Sequence, residues 1–379
     1  MQYKVKAIDS PSDIRDFIQF NYTLYRGNTY SVPDLFMDLE MTFDPKRNAA
    51  FDFSDAIFFL AYDEVGQIVG RVVGIINRKA NKIWDTKTVR FGWIDFIDDM
   101  AVSKLLIDAV SDWGKKFGMN TLEGPLGFTD FDNEGCLIEG FDEVGTMGSL
   151  YNFPYYKDHF EDYGMKKAAD WVEFKIYIPE DGVPPRFQRM ADIVKKKYQL
   201  EIVKYKSSRK LAKDYGKAIF KLLNTSYASL YGFSPLSEDQ IKQYMKTYLP
   251  VLDLRMITLI TESDGTLVGV GISMPSMSRA LQKAQGKLFP TGWYHLLKSL
   301  KGNHRGGVLD LLLVAIHPKY QGKGVNALLF SDLIPVYKKM GFSYAESNPE
   351  LEANDKVQAQ WSMYKTVQHK RRRAFKINI

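Results

Sequence analysis

The two halves of the chain repeat one order of strand and helix patterns, and this restricts the fold to a few arrangements. Residues 56–77 form two β-rich runs around a short polar turn, and the same arrangement returns at residues 256–274. A glycine in each turn is typical of an antiparallel hairpin. Another strand-like run follows each hairpin, and then a helix pattern that ends at Gly118 or at Gly341, which predicts a glycine C-cap.

A short strand pattern, a second helix and a final β-rich segment, DWVEFKIYI or RRRAFKINI, follow each of these helices. We interpret the repetition as a diverged internal duplication. Strands that alternate with helices predict an α/β protein with a mixed sheet. The Pro and Gly residues of 179–185 indicate a linker, so we expect two domains, residues 1–180 and 181–379. The second domain also carries an insertion, roughly residues 275–307.

The composition agrees with a globular protein of this kind. The chain has 379 residues, which exceeds the commonest size of a single domain, and 45% of them are hydrophobic, which excludes a mostly disordered chain. The single cysteine, Cys136, leaves no internal disulfide and fits a reducing compartment. A net charge of +6 does not by itself indicate nucleic acid. We expect a cytoplasmic protein without a membrane or nucleic-acid partner, and its oligomeric state stays open.

The stretch AIHPKYQGKGVNALLF, residues 315–330, places two glycines and a lysine between a strand pattern and a helix pattern. The first N–H groups of a helix have no partner within it, and the aligned peptide dipoles make this end partly positive. Glycines let the main chain approach an anion and Lys323 adds charge, so the stretch is typical of phosphate binding. A plain strand-to-helix turn is the alternative. P-loop and dinucleotide sites are less favoured, because neither glycine spacing is present here.

This stretch resembles motif A of the GNAT superfamily of acyl-coenzyme A N-acyltransferases, which reads Gln or Arg, two residues, Gly, one residue, and Gly or Ala. The chain departs from the motif only at Asn326. The resemblance covers most of residues 200–379 and implies two tandem acyl-CoA N-acyltransferase-like domains, the second of which uses acetyl-CoA or another acyl-CoA as co-substrate. It implies that the loop holds the pyrophosphate and the preceding strand pairs with the pantetheine arm, and the cofactor-binding residues are then Leu313, Val314, Ala315, Ile316, Gln321, Gly322, Lys323, Gly324, Val325, Asn326 and Asn354.

The N-terminal half lacks the features of this loop. Its equivalent positions are Asp98, Asp99, Met100 and Ala101. The two carboxylates would repel a pyrophosphate while they cap the helix N-terminus, so we expect no coenzyme A site in this half. Its segment 124–142, rich in glycine, acids and aromatics, either forms a wall of the acceptor cleft or packs between the domains.

Acyl transfer to an amine needs a base for the ammonium proton and an acid for the leaving thiolate. The GNAT family commonly places a tyrosine as the acid on the last helix, seven residues after an Asn, but here Trp361 follows Asn354 at that distance. Tyr364, one helical turn further on, is therefore the candidate acid. Asp310, before the loop, is the candidate base and Glu346 is its rival, although either could be an ordinary paired carboxylate.

Other chemistries find little support in the sequence. Cys136 lies in the N-terminal half and no Gly-x-Ser-x-Gly occurs, so we expect no covalent intermediate. The five histidines lack metal-ligand spacing, so we expect no metal. The resemblance implies an N-acetyltransferase that acts on an amine of a small molecule or peptide. The alternatives are a non-catalytic coenzyme A sensor or scaffold and a Fem-like aminoacyl or peptidyl transferase. The basic run 369–373 is interpreted as a solvated strand face, with nucleic acid or an acidic lipid surface as its alternative partner.

Overall fold

The strands join into one mixed sheet, and the computed structural model describes residues 2–379 without the side chain of Lys356. The N-terminal half (residues 1–180) contains β1 (Lys4–Ile8), α1 (Pro11–Leu24), α2 (Phe36–Thr42), β2 (Ser54–Tyr62), β3 (Ile68–Asn77), α3 (Arg78–Trp84), β4 (Thr88–Phe96), α4 (Met100–Lys116), β5 (Thr121–Gly124), β6 (Cys136–Glu139), α5 (Tyr155–Asp162) and β7 (Lys166–Tyr177).

The C-terminal half (residues 181–379) contains α6 (Pro185–Tyr198), β8 (Glu201–Val203), α7 (Ser208–Ser226), α8 (Glu238–Tyr248), β9 (Ile257–Thr261), β10 (Leu267–Pro275), α9 (Ser278–Ala284), α10 (Gly292–Lys301), β11 (Gly307–Ile316), α11 (Asn326–Met340), β12 (Phe342–Ser347), β13 (Glu350–Leu351), α12 (Asp355–Gln358) and β14 (Thr366–Asn378). Short 3₁₀ helices lie at Ala49–Asp52, Leu254–Met256, Pro318–Tyr320 and Ala359–Met363.

The predicted repetition of elements is confirmed. β2 and β3 pair antiparallel, as do β9 and β10, and each pair is followed by a strand, a long helix and a strand parallel to the previous one. Gly118 and Gly341 have φ angles of 74° and 86°, in the left-handed region that glycine adopts at a helix end. The predicted mixed α/β fold is therefore correct. The division near residue 180 falls between β7 and α6 and stays a prediction.

The last strand of each half lies in the other half. The order along the sheet is β1-β2-β3-β4-β5-β14-β7-β12-β11-β10-β9-β8. β14, from the end of the chain, pairs antiparallel with β5 of the N-terminal half, whereas β7 pairs with β12 of the C-terminal half. β14 and β7 then pair with each other along the centre of the sheet. Each half therefore completes its sheet only with a strand from the other.

The basic run 369–373 is part of this junction, and its interpretation as a solvated face is wrong. The side chains of Lys370 and Arg372 are 1% exposed. Lys370 Nζ donates to Glu173 and Glu346, and Arg372 Nε donates to Glu173 at 2.6 Å. Although burial acts to raise it, these two cations lower the pKa of Glu173 to about 2. The charges neutralise each other inside the protein, because acids on β7 and β12 face the basic strand.

The long helices after β4 and β11 cover one face of the sheet. In α4 the Asp99 side chain accepts a hydrogen bond from the Ala101 N–H and caps the helix, as expected. Val102, Leu106 and Val110 recur every fourth residue and are fully buried against the sheet. Each such side chain contributes about 1.5–3 kcal/mol through burial. α11 is anchored in the same manner by its own apolar face.

Candidate active site

The parallel strands β11 and β12 separate partway along their length. They pair from Gly307–Phe342 to Leu311–Ser347; β12 ends there, whereas β11 continues to Ile316. The register of β10 with β11 also skips Leu312, which is therefore a β-bulge. The result is a wedge-shaped opening at the sheet centre, bordered by the β11 edge beyond Leu311.

The glycine loop connects the far end of β11 to α11. Gly322 and Gly324 have φ angles of 71° and 78°, which side chains other than glycine rarely adopt. Within the described residues, the N–H groups of Gly322, Gly324, Val325 and Asn326 have no backbone partner. Free amides at the start of a helix, here one of 15 residues, are a common means of binding anions. The structure thus gives the loop the geometry that the sequence indicates.

The two glycines of the loop differ in their surroundings. A Cβ at Gly324 would lie 3.2 Å from Met190 Sδ and 3.3 Å from Val194 Cγ2 of α6, whereas a Cβ at Gly322 would meet open space. Asn326 occupies the first position of α11 and Val325 is the N-cap residue, so Asn326 does not cap the helix. Lys323 Nζ lies 5.6 Å from the ring centre of Tyr198, near the loop. Charge can therefore be introduced at Gly322 without disturbing α6.

Side chains of the C-terminal half bind the free edge of β11. Asn348 Nδ2 donates to the carbonyl of Leu312 at 2.7 Å, and Tyr227 Oη donates to the carbonyl of Val314 at 3.1 Å. In the part of the chain that the structure describes, no strand pairs with this edge. Because each carbonyl has two lone pairs, the edge can accept a further hydrogen bond from an extended amide chain. Of the predicted edge residues, Leu313 and Val314 reach the opening.

The corresponding opening of the N-terminal half is filled by aromatic side chains. β4 and β5 pair only as far as Arg90–Glu123. Beyond that point the ring of Tyr156 stacks on Phe96 with 4.2 Å between the ring centres, and Tyr155 Oη donates to the Phe96 carbonyl at 2.6 Å. An extended ligand cannot enter there, which agrees with the sequence expectation for this half.

A cavity of about 510 Å³ continues from the β11–β12 opening to the interface of the halves. Its walls are mostly aliphatic and aromatic, with side chains from both halves. They include Leu35, Trp93 and Trp171 from the N-terminal half and Leu211, Ile219, Phe220, Tyr244, Leu252 and Leu312 from the C-terminal half. A cavity of this size and character fits an apolar ligand that is much larger than an acetyl group.

One wall of the cavity is acidic. Asp130, Asp132 and Glu134 come from segment 124–142, and Asp34 from the N-terminal half joins them. Burial raises the pKa of Asp132 to about 6 and that of Asp34 to about 7, and it raises the pKa of Glu134 well above its usual value. The segment therefore forms part of the cavity wall, one of the two expected positions, and its carboxyl groups are suited to contact a polar or cationic group.

Asp310 and Glu346 are neighbours on β11 and β12 but differ in their partners. Neither carboxylate oxygen of Asp310 has a partner with good hydrogen-bond geometry within residues 2–379, although Ser276 lies near enough to lower its pKa, and Asp310 is 2% exposed. Burial and the nearby Glu346 raise the pKa of Asp310 to about 7. Glu346 binds Lys370 and lies 3.2 Å from His369 Nε2; despite burial, these two neighbours lower its pKa. Asp310 is thus the better proton acceptor near neutral pH.

The residues near the end of the chain differ in whether they reach the cavity, although the rings of Trp361 and Tyr364 both pack on Phe330. Asn354 and Trp361 line the cavity. Tyr364 lies beyond the last 3₁₀ helix, in extended backbone, so its placement on the last helix is wrong. Its ring packs on Phe187 and Phe330 in the core below α11, and its buried hydroxyl has no hydrogen-bond partner among the described residues. The structure does not bring Tyr364 into the cavity.

Two side chains that sequence reasoning missed do reach the cavity, Tyr227 and Glu350. Both oxygens of Glu350 accept from Trp361 Nε1, at 3.0 and 3.1 Å. Burial raises the pKa of Glu350 to about 8, against the opposing effect of this hydrogen bond. Burial also raises the pKa of Tyr227 to about 12. Glu350 therefore carries a proton at neutral pH, and only the position of Trp361 seven residues after Asn354 could have drawn attention to it.

The fold and this opening define the tandem GNAT architecture. The solved structure of the tandem GNAT protein from the clavulanic acid biosynthesis pathway matches 100% of this chain and 98% of its own, with a TM-score of 0.55 at 11% identity. The chain therefore has the tandem GNAT fold, as the sequence resemblance implied.

Two proteins are similar to the chain in sequence. Protein YghO of Escherichia coli K12 is 27% identical over 299 residues, which cover 78% of this chain and 74% of that protein. The bacterial ceramide synthase of Caulobacter vibrioides is 28% identical over 298 residues, 78% of this chain and 76% of that protein. No protein-family model matches the sequence.

Proposed function

We propose that the protein is an acyl-CoA-dependent N-acyltransferase whose thioester site lies in the C-terminal half. One observation carries the proposal: a single strand, β11, connects a loop of free amides to an open edge and a largely apolar cavity. The amides of Gly322, Gly324, Val325 and Asn326, with Lys323, would hold the pyrophosphate. The β11 edge at Leu313 and Val314 would hold the pantetheine arm.

Two buried titratable side chains are candidates for the acid and base roles: Glu350 lines the cavity, and Asp310 lies two residues before Leu312 on β11, outside the cavity lining. The bound thioester supplies a carbonyl carbon that an amine can attack. Asp310, buried without an ion-pair partner and with a pKa of about 7, would accept the proton that the amine loses. Glu350, protonated at neutral pH and held by Trp361, would give a proton to the leaving thiolate. Tyr227 is the alternative donor, because it also lies at the β11 edge.

The cavity favours a long-chain substrate over acetyl transfer. An acetyl group would leave most of the apolar space unfilled, whereas a fatty acyl chain or a long-chain amine would bury its surface there at about 25 cal/mol per Å². The relative from Caulobacter vibrioides is named for ceramide synthesis, and a ceramide is an amide of a fatty acid with a long-chain amine. We therefore propose a fatty acyl-CoA donor and a long-chain amine acceptor. The acidic wall would face the acceptor's polar end.

Calorimetric titration with coenzyme A, acetyl-CoA and octanoyl-CoA tests the thioester site. Gly322→Asp and Gly322→Asn form a matched pair, because both residues tolerate the left-handed backbone and only Asp adds a negative charge. We expect Gly322→Asp to weaken binding of every thioester at least tenfold relative to Gly322→Asn, with equal thermal stability. Equal affinities for the two variants would place the pyrophosphate elsewhere.

Thiol release in the presence of amines tests the substrate class. We expect octanoyl-CoA with a long-chain amino alcohol to react faster than acetyl-CoA with a hydrophilic amine such as glucosamine. The reverse order would favour the acetyltransferase activity that the sequence motif implies. Thioester binding without transfer to any amine would favour the coenzyme A sensor.

A further inference from the structure

The segment of residues 275–307, between β10 and β11, differs in charge from the rest of the chain. It contains six basic residues and no Asp or Glu, namely Arg279, Lys283, Lys287, Lys298, Lys301 and Arg305. The whole chain has a formal net charge of +6. This one segment therefore accounts for the entire net charge, and acids and bases balance in the remainder. Such a concentration gives the segment a positive field that the overall composition conceals.

The outer face of this segment exposes large apolar side chains close together. The exposed fractions are 69% for Phe289, 47% for Trp293, 52% for Tyr294 and 43% for Leu297. Trp293 and Leu297 are four residues apart and share one face of α10, and the adjacent face buries Leu296. Isolated exposed apolar residues are common, but a group on one short segment is typical of an interaction surface.

We infer that the 275–307 segment docks on an anionic lipid surface. A Trp and a Tyr on an amphipathic helix, with lysines around them, form the combination that places a helix in the headgroup region of a bilayer. Lys283, Lys287, Lys298 and Lys301 are all exposed, and each can contact an anionic headgroup. A neutral apolar partner would make no use of the lysines. A phosphate group alone would make no use of Phe289 and Leu297. An anionic lipid surface makes use of both.

The inner face of the same segment forms part of the cavity wall. Met277, Leu281 and Leu296 pack in one cluster with Leu35 and Leu312. Of these, Leu35, Leu281 and Leu312 also line the cavity. The surface that would contact lipid is therefore separated from the cavity by one layer of helices. This docking does not depend on the proposed chemistry, but it would bring a lipid amine close to the site.

The attachment would be peripheral. Within residues 2–379 no helix is long and apolar enough to cross a membrane. The sequence predicts no membrane partner, because no long apolar run occurs in it. The lipid surface proposed here would replace that expectation, since it depends on which side chains of α10 face outward, and only the fold determines this.

Co-sedimentation of the full chain with vesicles tests the inference, without any thioester present. We expect binding to vesicles of phosphatidylglycerol and phosphatidylcholine, with weak binding to phosphatidylcholine alone and release by salt. Changing four lysines of the segment to Gln should weaken binding at least a hundredfold, given about 1 kcal/mol per basic residue; the lysines are Lys283, Lys287, Lys298 and Lys301. The control changes four exposed lysines elsewhere, Lys195, Lys196, Lys213 and Lys217.

A second pair of variants separates the apolar contribution from the charge. Phe289→Ala with Trp293→Ala should weaken vesicle binding at least tenfold, whereas Phe117→Ala with Ile193→Ala, also exposed, should not change it. No vesicle binding at millimolar lipid would overturn the inference. Tight binding of an RNA oligonucleotide through the same lysines, without vesicle binding, would also overturn it. Equal effects of the test and control variants would do the same. Acyl transfer to a detergent-dispersed amine should persist in all variants, which keeps this result distinct from failure of the proposed function.

Discussion

At the scale of single residues, Asp310 combines a structural disadvantage with a chemical use. A buried carboxyl group without hydrogen bonds costs free energy once it ionises, and chains retain such groups mainly where function needs them. Glu346, beside it, is bound by Lys370 and stays ionised. The pair of adjacent carboxyls therefore divides into one that holds the junction together and one that can exchange a proton.

Asp310→Asn should lower activity and raise stability. Activity should fall by a factor of 10²–10⁴, because the variant has no base at this position. The pKa of Asp310 is raised from 3.8 to about 7 in the fold, so the stability that comes from keeping this group protonated is full below about pH 4 and is lost as pH rises through 7. Asn never ionises, so the variant should exceed wild type in thermal stability at pH 8, by up to about 4 kcal/mol, and not at pH 4.

Thermal unfolding and steady-state rates between pH 5 and 9 check this. Wild-type activity should rise through pH 7, and that rise should disappear in the variant. A variant that keeps wild-type rates would remove Asp310 from the chemistry. If Asp310→Asn were less stable than wild type at pH 8, the ionised Asp310 would have a stabilising partner within the folded protein.

Glu350→Gln and Tyr364→Phe compare the acid that the structure favours with the one that the sequence favours. Gln retains an acceptor for Trp361 but cannot donate a carboxyl proton, so the maximal rate should fall at least tenfold and its loss near pH 8 should disappear. Tyr364→Phe should retain the wild-type rate, and stability should not fall, because the buried hydroxyl has no partner among the described residues. If Tyr364→Phe lowered the rate more than Glu350→Gln, Tyr364 would again be the candidate acid.

At the scale of elements, the same strand, helix and strand occur twice with opposite consequences for a ligand. In the C-terminal half the opening after β11 continues into a cavity, whereas aromatic side chains of α5 fill the opening after β4. α4, the helix that follows β4, begins with the capping carboxylate of Asp99 instead of free amides. One architecture thus leaves an opening in one half and a packed core in the other.

Coenzyme A should therefore bind at one site per chain. Calorimetry should give a stoichiometry of one, and Gly322→Asp should remove this binding without a residual second phase. Changing Asp98 to Gly and Asp99 to Ser should leave the stoichiometry at one, because Ser still caps α4 and the α5 aromatics still occupy the opening. A stoichiometry of two in wild type or in this variant would show that the N-terminal half also accepts the ligand.

The sequence could predict these elements because their signals are local. A glycine turn between two β-rich runs specifies a hairpin, and a glycine after a periodic run ends a helix. The partners of β14 are not a local property. Lys370 and Arg372 look like solvated residues until Glu173 and Glu346, about 200 and 24 positions away, are known to face them. Similarly, the sequence does not reveal that the last 3₁₀ helix ends at Met363, which leaves Tyr364 in extended backbone with its ring on Phe187 and Phe330.

At the scale of the molecule, the exchanged strands tie the two halves into one structure. β5 and β12 would each be an unpaired edge if the strand from the other half were absent. The buried charges at the junction also come from both halves, with Glu173 on β7 and Lys370 on β14. Because the cavity is lined by both halves, the same exchange fixes the relative positions of the thioester site and the acidic wall.

The intact protein should consequently unfold in a single transition. Calorimetric and van't Hoff enthalpies should agree, and Lys370→Met should lower the stability of the whole chain by about 3–5 kcal/mol because it leaves buried carboxylates without their cation. Residues 1–180 and 181–379 expressed separately should aggregate through the open edges of β5 and β12, whereas co-expression should restore a folded, thioester-binding complex. Two separate transitions in the intact chain, or a half that folds alone with native circular dichroism, would show that the strand exchange is not needed for either sheet.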